Sequence, residues 1–365
     1  MPVKVLLSGY YGYNNIGDEA ILKGLIDSLQ TYNLKLKVLS KNPEWTTKKY
    51  SVDSANRSNI FQILKEIKNC DVLLSGGGSL LQDVTSSKSI VYYLMILFMA
   101  IIMGKKTIIY SQGIGPIKGR FNRRLTKFIL NRVDYINVRD NNSYDYLRKI
   151  GINKNIIVTT DTVFGINKPS LKEGLGIVEN YSKRDSKKLG VTIINWKDCG
   201  ERTIEESVKL LKIILEEQPD VDVFLIPFYY HVDLDILTKI YDRLKDDYKN
   251  IYLVDKYLHV DGYLSLVGNM DIYLSMRLHG LIFATLMGAY PIGISYDPKI
   301  DGFMKELGRN QSYYVEDFEG EKVANEILIS LENIDKLNIK LQQEVEHLRK
   351  IAKESAENLY EFIRW

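Results

Sequence analysis

Residues 275–302 read SMRLHGLIFATLMGAYPIGISYDPKIDG and contain most of one strand–helix–strand unit. A strand ending near Leu274 meets an apolar helix, and Arg277 and His279 lie at that junction. One helix and one strand later, a loop carries Lys299 between two aspartates. Because the turns that follow parallel strands meet at one edge of the sheet, we expect these cations to lie together. The stretch therefore predicts an anion site.

The same alternation of strand, turn and helix recurs along the chain. Strand-like runs near residues 3–7, 71–75 and 107–110 each lead into a turn that contains glycine. A second series starts near residues 190–195 and continues at 221–226. This alternation is typical of a doubly wound parallel sheet. At 365 residues, the chain has room for two such lobes. We expect an α/β protein with two doubly wound Rossmann-like lobes facing a cleft, and a C-terminal helical tail.

Composition shifts suggest where the lobes begin and end. We expect an N-terminal α/β lobe over residues 1–168 and a C-terminal α/β lobe over residues 189–318. The polar, lysine-rich segment 169–188 contains proline and glycines and is predicted to be a linker. Residues 319–365 are helical by pattern and are predicted to form the tail. The polar stretch 40–58 is expected to be irregular.

Overall composition excludes several classes of protein. Hydrophobic residues make up 45% of the chain and charged residues 26%, which is typical of a folded globular protein. A net charge of only +3 does not indicate a nucleic-acid partner. Cys70 and Cys199 stand far apart, so neither a disulfide framework nor a zinc site is indicated. The first residues read as a strand and not as a secretion signal, so we expect a cytoplasmic protein.

Two segments bear on membrane association. The apolar run at residues 90–103 has 14 residues, fewer than the roughly 20 that cross a bilayer, so a buried helix is expected. Residues 118–132 carry six basic side chains and no acidic one, with apolar residues on one helical face. A solvated charged face is the ordinary explanation, and a patch facing lipid phosphates is the alternative. A membrane surface is thus left open as a partner.

A glycine-rich turn leads into the first helix through GYNNIGDEAIL, residues 12–22. The spacing differs from the dinucleotide fingerprint, but such a turn suits an anion or substrate that approaches backbone amides. Asn15, Gly17 and Glu19 are expected to line the site. Asp18 and Glu19 lie in the first helical turn, where carboxylates serve either as helix caps or in acid/base chemistry.

Other candidates follow later strands of the first lobe. The motif GGGSLLQD contains Gly77, Gly78, Gln82 and Asp83, and its glycines allow close approach to a ligand or to neighbouring backbone. Arg139 ends a further strand. It either pairs with the adjacent aspartate for structural reasons or holds a carboxylate or phosphate of a ligand. No nucleophile motif or metal-ligand spacing accompanies these residues, so the inventory favours an anionic donor and acid/base chemistry.

Several motifs, in one order along nearly the whole chain, resemble the polysaccharide pyruvyl transferase family of the CsaB kind. They are GYNNIGDEAIL, GGGSLLQD, GIGP, VRDNNS, SMRLHGLIFA and GISYDPKIDGF. The resemblance implies a glycosyltransferase-B-like fold and transfer of the pyruvyl unit of phosphoenolpyruvate to a sugar as a ketal. The implied acceptor is a lipid-linked cell-wall precursor, often with N-acetylmannosamine. No metal and no cofactor are implied, because phosphoenolpyruvate is a co-substrate.

The resemblance also implies roles for individual residues. Asp18 is the expected acid/base group on the acceptor side, which is the N-terminal lobe. Arg139, His279 and Lys299 are expected to hold phosphoenolpyruvate, with His279 also catalytic, and the C-terminal lobe is the donor side. Arg277 lines the site mainly as support for its turn. The family often has an arginine where this chain has Ile194.

Two other functions remain open at this point. A nucleotide-sugar glycosyltransferase would use the same two-lobed scaffold, because a fold does not determine a reaction. A non-enzymatic protein could bind anionic glycolipids through residues 118–132. The oligomeric state is also left open.

Overall fold

The computed structural model describes most of the chain, namely residues 1–84, 87–309 and 313–364. It divides into two compact units. The first unit comprises residues 1–167 together with the chain from residue 347 onward, and the second comprises residues 168–346. Each unit contains a parallel β-sheet with helices packed against it, which confirms the predicted α/β class with two Rossmann-like lobes.

The first unit contains a seven-stranded parallel sheet in the order β3-β2-β1-β4-β5-β6-β7. The strands are β1 (Val3–Tyr11), β2 (Leu34–Ser40), β3 (Asp53–Asn56), β4 (Val72–Gly76), β5 (Lys106–Gln112), β6 (Tyr135–Val138) and β7 (Ile156–Val158). Strand order reverses direction between β1 and β4. In doubly wound sheets, ligands bind beside the carboxyl ends of the strands at this switch point.

The helices of the first unit connect these strands. They are α1 (Ile16–Leu29), α2 (Pro43–Tyr50), α3 (Ile60–Asn69), α4 (Ser87–Ile102), α5 (Arg120–Leu130) and α6 (Asn141–Lys149). A 3₁₀ turn follows at Thr162–Gly165. Helices α3 to α6 contribute apolar side chains to one core, in which the sheet residues Leu6, Leu73 and Ile109 also lie. These helices therefore cover the same face of the sheet.

The second unit contains a six-stranded parallel sheet in the order β10-β9-β8-β11-β12-β13. The strands are β8 (Lys187–Thr192), β9 (Val221–Leu225), β10 (Ile251–Leu253), β11 (Ile272–Ser275), β12 (Tyr290–Ser295) and β13 (Tyr313–Tyr314). The strand order reverses between β8 and β11. Strand β11, on one side of this switch point, leads directly into residues 275–302, the stretch predicted to form an anion site.

The second unit has its own set of helices. They are α7 (Lys172–Tyr181), α8 (Gly200–Glu217), α9 (Tyr230–Asp242), α10 (Val260–Val267), α11 (Leu278–Met287), α12 (Pro298–Glu306), α13 (Gly320–Glu332) and the first part of α14 (Ile334–Arg364). A 3₁₀ turn at Lys197–Cys199 precedes α8.

Residues 169–188 are not an irregular linker, because α7 occupies ten of them and packs against α10. The amide of Gly174 donates to Ser265 Oγ at 2.7 Å. A Cβ atom on Gly174 would lie 2.2 Å from the backbone oxygen of Ser265. The glycine that supported the linker prediction therefore serves the close crossing of two helices.

The predicted tail, residues 319–365, is helical over its described residues but is shared between the units. In the second unit, Val323 and Ile327 of α13 lie in the core. The end of α14 belongs to the first unit, where Ser355 accepts a hydrogen bond from Asn137 Nδ2 at 3.0 Å and Tyr360 stacks on Tyr32. The tail thus completes both units.

The polar stretch 40–58 is more regular than expected, since it contains α2 and β3. β3 is a four-residue strand at the edge of the sheet with one buried residue, Ala55. A strand this short and polar carries little hydrophobic periodicity, which explains why the sequence pattern did not reveal it.

The crossing of α7 and α10 makes a testable prediction. We expect Gly174→Ala to lower the free energy of unfolding by about 1–3 kcal/mol, because the new methyl group overlaps backbone atoms. Gly176→Ala is the matched control in the same helix, since nothing lies within 4 Å of its added Cβ. That control should leave stability unchanged or raise it by up to about 1 kcal/mol. Urea unfolding measures both, and equal effects of the two substitutions would contradict the close crossing.

Candidate active site

The turn after β1 is held in shape by hydrogen bonds from its own residues and from α2. Asn15 caps α1, and its side chain accepts from the amide of Gly17 at 3.1 Å. Glu19 is buried; its carboxylate accepts from the amide of Gly12 at 2.8 Å and from the Tyr50 hydroxyl at 3.0 Å. Burial raises the pKa of Glu19, and these hydrogen bonds oppose the rise. Glu19 therefore shapes the turn.

Asp18 lies next to Glu19 in the first turn of α1, and its side chain is only partly exposed. The glycine turn after β4 comes close to it: a Cβ atom on Gly78 would lie 3.3 Å from Asp18 Oδ1. Gly77 and Gly78 have φ angles of +63° and +64°, a region that favours glycine. Asp18 thus lies at the switch point between β1 and β4.

The environment of Asp18 raises its pKa from 3.8 to about 7. Burial of the carboxyl is the largest cause, followed by the negative charges of Glu19 and Asp161. Arg57 and Arg139 act in the opposite direction. A carboxyl group that titrates near neutral pH can both give and accept a proton, as a general acid/base residue must.

Arg139 ends β6 and is buried among partners. Its Nη1 atom pairs with Asp161 Oδ2 at 3.1 Å and its Nε atom with Asp140 Oδ2 at 3.2 Å. A third, longer hydrogen bond of 3.4 Å runs from Nη2 to Ser79 Oγ. The structural pairing considered from the sequence is therefore present. A contact between Arg139 and a ligand remains a prediction.

Arg57 is a buried cation that the sequence did not mark as a candidate. It follows β3, and its guanidinium donates to the Gly9 carbonyl oxygen at 2.9 Å and to the Tyr93 hydroxyl at 3.0 Å. Among the described residues it forms no ion pair with a carboxylate. Its Cζ atom instead lies 4.8–5.6 Å from the ring centroids of four tyrosines, namely Tyr10, Tyr13, Tyr92 and Tyr93. The repeated tyrosines in GYYGY and VYY were the sequence feature that could have indicated this cluster around Arg57.

The side chains of Gln82 and Asp83 both accept hydrogen bonds from backbone amides. The Gln82 side chain accepts from the amide of Val84 at 2.7 Å. The Asp83 carboxylate accepts from the amides of Lys118 and Gly119 and from Asn122 Nδ2. Burial acts to raise the pKa of Asp83, but these hydrogen bonds outweigh it and lower the pKa. Asp83 thus fastens its turn to the start of α5, and a role for either residue as a ligand contact stays a prediction.

Arg277 supports the turn between β11 and α11. Its guanidinium pairs through Nε and Nη2 with both carboxylate oxygens of Asp233, which is buried. Asp233 also accepts from the amides of Phe228 and Tyr229 at the start of α9. This network ties the carboxyl end of β11 to α9, in keeping with the supporting role expected of Arg277.

His279 and Lys299 lie in the first turns of two helices that follow neighbouring strands. His279 is the second residue of α11, after β11, and Lys299 is the second residue of α12, after β12. Strands β11 and β12 pair in parallel, with Ser275 opposite Gly293. Asp297 caps α12 and lies 3.6 Å from the Lys299 ammonium group. A histidine, a lysine and two helix N-termini thus lie at the same edge of the sheet, an arrangement suited to an anion.

An aromatic pair adjoins this edge. Trp196 follows β8, and its ring centroid lies 4.4 Å from that of Tyr296, which follows β12. The Nε1 atom of Trp196 is buried and has no hydrogen-bond partner among the described residues. The Lys197 ammonium lies 4.9 Å from the Trp196 ring centroid. The sequence drew attention to this segment only through Ile194.

The candidate residues therefore form one set within each unit. Asp18, Gly78, Arg139 and the unexpected Arg57 belong to the first set, and Arg277, His279 and Lys299 belong to the second. Within the described part of the chain, no group of three or more His, Cys, Asp or Glu residues is arranged to hold a metal ion.

Comparison with solved structures agrees with this architecture. A UDP-GlcNAc 2-epimerase from Neisseria meningitidis bound to UDP-GlcNAc matches over 100% of both chains, with a TM-score of 0.66 and 14% identity. A glycosyltransferase from Rickettsia africae ESF-5 matches over 99% of this chain and 98% of that chain, with a TM-score of 0.65 and 14% identity. At this identity the likeness shows the fold alone, and it confirms the glycosyltransferase-B-like class.

Comparison with sequences identifies the family. The amylovoran biosynthesis protein AmsJ of Erwinia amylovora is 22% identical in an alignment 374 positions long, which covers 84% of this chain and 86% of that protein. The family described as polysaccharide pyruvyl transferase matches residues 15–298. That match extends from the cap of α1 to the start of α12 and includes β4, β8 and β11. The chain belongs to the polysaccharide pyruvyl transferase family.

Proposed function

We propose that this protein transfers the pyruvyl unit of phosphoenolpyruvate to two hydroxyl groups of one sugar in a polysaccharide precursor, forming a ketal and releasing phosphate. Membership of the family supports the class of transfer. The donor and the acceptor, a lipid-linked precursor with N-acetylmannosamine, are the proposed details. The observation that carries the proposal is the Asp18 carboxyl, whose pKa of about 7 lies in the working range of an acid/base catalyst.

The proposed reaction needs protons to be moved and phosphate to be held. A proton added to the methylene carbon of phosphoenolpyruvate makes its C2 atom electrophilic. One sugar hydroxyl adds to C2 and loses its proton to a base. The C2–O bond to phosphate then breaks, and a second hydroxyl adds to C2, loses its proton and closes the ring. Protonated Asp18 suits the first step, and its carboxylate suits the removal of a hydroxyl proton.

The donor is proposed to bind at the edge formed by β11 and β12. Phosphoenolpyruvate carries a phosphate and a carboxylate, and helix N-termini with added cations stabilise such groups. His279 and Lys299 are the proposed contacts. Arg139 stays a predicted ligand contact of the first unit. Since two carboxylates already pair with it, we propose that it binds a ligand through Nη2, whose 3.4 Å hydrogen bond to Ser79 is its weakest.

A nucleotide-sugar glycosyltransferase is the competing function, favoured by the likeness to a solved glycosyltransferase. Phosphate release separates the two. With phosphoenolpyruvate and a synthetic lipid-linked N-acetylmannosamine acceptor, we expect stoichiometric release of phosphate and a product heavier by one pyruvyl unit. Mass spectrometry of the acceptor and a phosphate assay measure these products. Consumption of a nucleotide sugar without phosphate release from phosphoenolpyruvate would contradict the proposal.

The raised pKa of Asp18 predicts a pH-dependent effect on stability. Between about pH 4 and about pH 7 the folded protein keeps the Asp18 proton while the unfolded chain releases it. The contribution of Asp18 to the free energy of unfolding therefore falls as pH rises through this range. Asp18→Asn removes the titration. We therefore expect the stability of the variant, relative to the native protein, to increase from pH 4 to pH 7 and to level off above it.

Thermal unfolding across this pH range measures that difference, and a difference independent of pH would contradict the raised pKa. The same variant should lose about 100- to 10,000-fold in turnover, the usual contribution of acid/base catalysis.

Substitutions at the β11–β12 edge test donor binding. We expect His279→Ala and Lys299→Ala each to lower kcat/KM for phosphoenolpyruvate by at least about 100-fold, because each removes a group that faces developing phosphate charge. Lys305→Ala is the matched control, since this exposed lysine lies in the last turn of the same helix as Lys299. Steady-state kinetics measure the effect, and circular dichroism checks folding. If His279→Ala or Lys299→Ala unfolds the protein, or if Lys305→Ala lowers kcat/KM as much as they do, the role of these residues is structural.

A further inference from the structure

The outer face of α4 is apolar although it is exposed. Met95 and Ile102, one heptad apart, are 42% and 68% exposed, and Met103 just beyond the helix is 40% exposed. Phe98 and Met99 between them are half-buried. Within the described residues, no helix is both long and apolar enough to cross a membrane. An amphipathic or apolar helix of this length can instead lie in the surface layer of a bilayer.

Helix α5 extends this apolar surface and adds positive charge to it. It packs beside α4, with the rings of Phe98 and Phe128 6.1 Å apart. Phe121 and Phe128, one heptad apart on α5, are 71% and 45% exposed. Arg132 stacks over the Phe128 ring at 3.7 Å. Apolar and basic side chains are therefore adjacent on one surface.

A groove of about 410 Å³ beside α5 concentrates the charge. No acidic side chain of the described residues lines it, and none of its cations forms an ion pair there. The five cations that line it are Arg120, Arg123, Arg124, Lys127 and Lys149.

Three of these cations oppose the dipole of α5. Arg120, Arg123 and Arg124 lie at the N-terminal end of the helix, whose first turn has no acidic residue. Positive charge at a helix N-terminus, and like charges next to one another, both reduce stability. The Asp83 carboxylate at the start of α5 offsets part of this cost, but none of the three arginines pairs with it among the described residues. We therefore expect these arginines to serve a bound anion.

We propose that the outer face of α4 and α5, defined by Met95, Ile102, Phe121, Phe128 and the cations of the groove, docks this protein on an anionic lipid bilayer. The apolar side chains enter the boundary between headgroups and acyl chains, and the cations contact lipid phosphates. A nucleic-acid duplex would use the cations but not the exposed methionine, isoleucine and phenylalanine side chains. The combination favours lipid.

Sedimentation with vesicles tests this docking without any substrate. The full-length protein should bind vesicles that contain phosphatidylglycerol, bind vesicles of phosphatidylcholine alone far more weakly, and be released by salt. Arg120→Gln/Arg124→Gln should weaken binding by about 20- to 30-fold, at about fivefold per cation near the surface. Ile102→Ser/Phe121→Ser should weaken binding by at least about tenfold, and low salt should not restore it.

Two comparisons separate docking from a structural role. Lys350→Gln/Lys353→Gln is the matched control: it removes the same charge from exposed positions of α14, also in the first unit, and should not change vesicle binding. Thermal unfolding of Arg120→Gln/Arg124→Gln should show equal or higher stability, because repulsion and the opposed dipole are relieved.

Three results would overturn the proposal. The first is that the protein binds anionic and neutral vesicles equally well. The second is that Lys350→Gln/Lys353→Gln weakens vesicle binding as much as Arg120→Gln/Arg124→Gln does. The third is that the protein binds DNA more tightly than vesicles and that Ile102→Ser/Phe121→Ser does not change DNA binding. Phosphate release with a water-soluble acceptor is measured separately, so failure of docking and failure of the proposed reaction remain distinguishable.

Discussion

The close approach of the glycine turn after β4 to α1 is the constraint on which the candidate site depends. A Cβ atom on Gly77 would lie 2.0 Å from Ile21 Cγ2, and the turn is further fixed by the Tyr11 hydroxyl, which donates to the Gly76 carbonyl oxygen at 2.7 Å. This packing holds the glycine turn after β4 against α1, beside Asp18. Burial is the largest cause of the raised pKa of Asp18, so the chemistry proposed for this carboxyl follows from backbone packing.

Two aspartates of the first unit show how local contacts decide the direction of a pKa shift. Asp83 accepts three hydrogen bonds, which favour its charged form and lower its pKa. Asp18 lies beside Glu19 and near Asp161, and both disfavour a further negative charge. Arg57 and Arg139 counteract this only in part. Of these two aspartates, Asp18 is therefore the one with a pKa near neutral pH.

The regular parts of the fold could be predicted from the sequence because each strand–turn–helix unit repeats a recognisable pattern. The two sheets and the position of His279 and Lys299 at strand ends follow from this alternation. Features that depend on tertiary packing could not be predicted. Gly174 looked like part of a linker because its contact, Ser265, lies 91 residues away. Nothing in the sequence indicated that the end of α14 belongs to the first unit.

Side-chain roles were also partly hidden. Arg57 lies in a polar segment without periodicity, and its four tyrosines come from two separate parts of the chain. Glu19 and Asp83 matched the pattern of ligand-lining residues, but pattern alone does not reveal which backbone amides a carboxylate will meet. The motifs pointed to these turns, and the packing gave the carboxyl groups of Asp18, Glu19 and Asp83 different surroundings.

The proton affinity of Asp18 is the central claim, and NMR of the protein with isotope-labelled aspartate carboxyl carbons measures it most directly. Comparison with the Asp18→Asn variant assigns the signal. We predict that the Asp18 signal titrates with a midpoint at about pH 7. A midpoint close to the ordinary value of 3.8 would contradict the burial of this carboxyl and the acid/base role proposed for it.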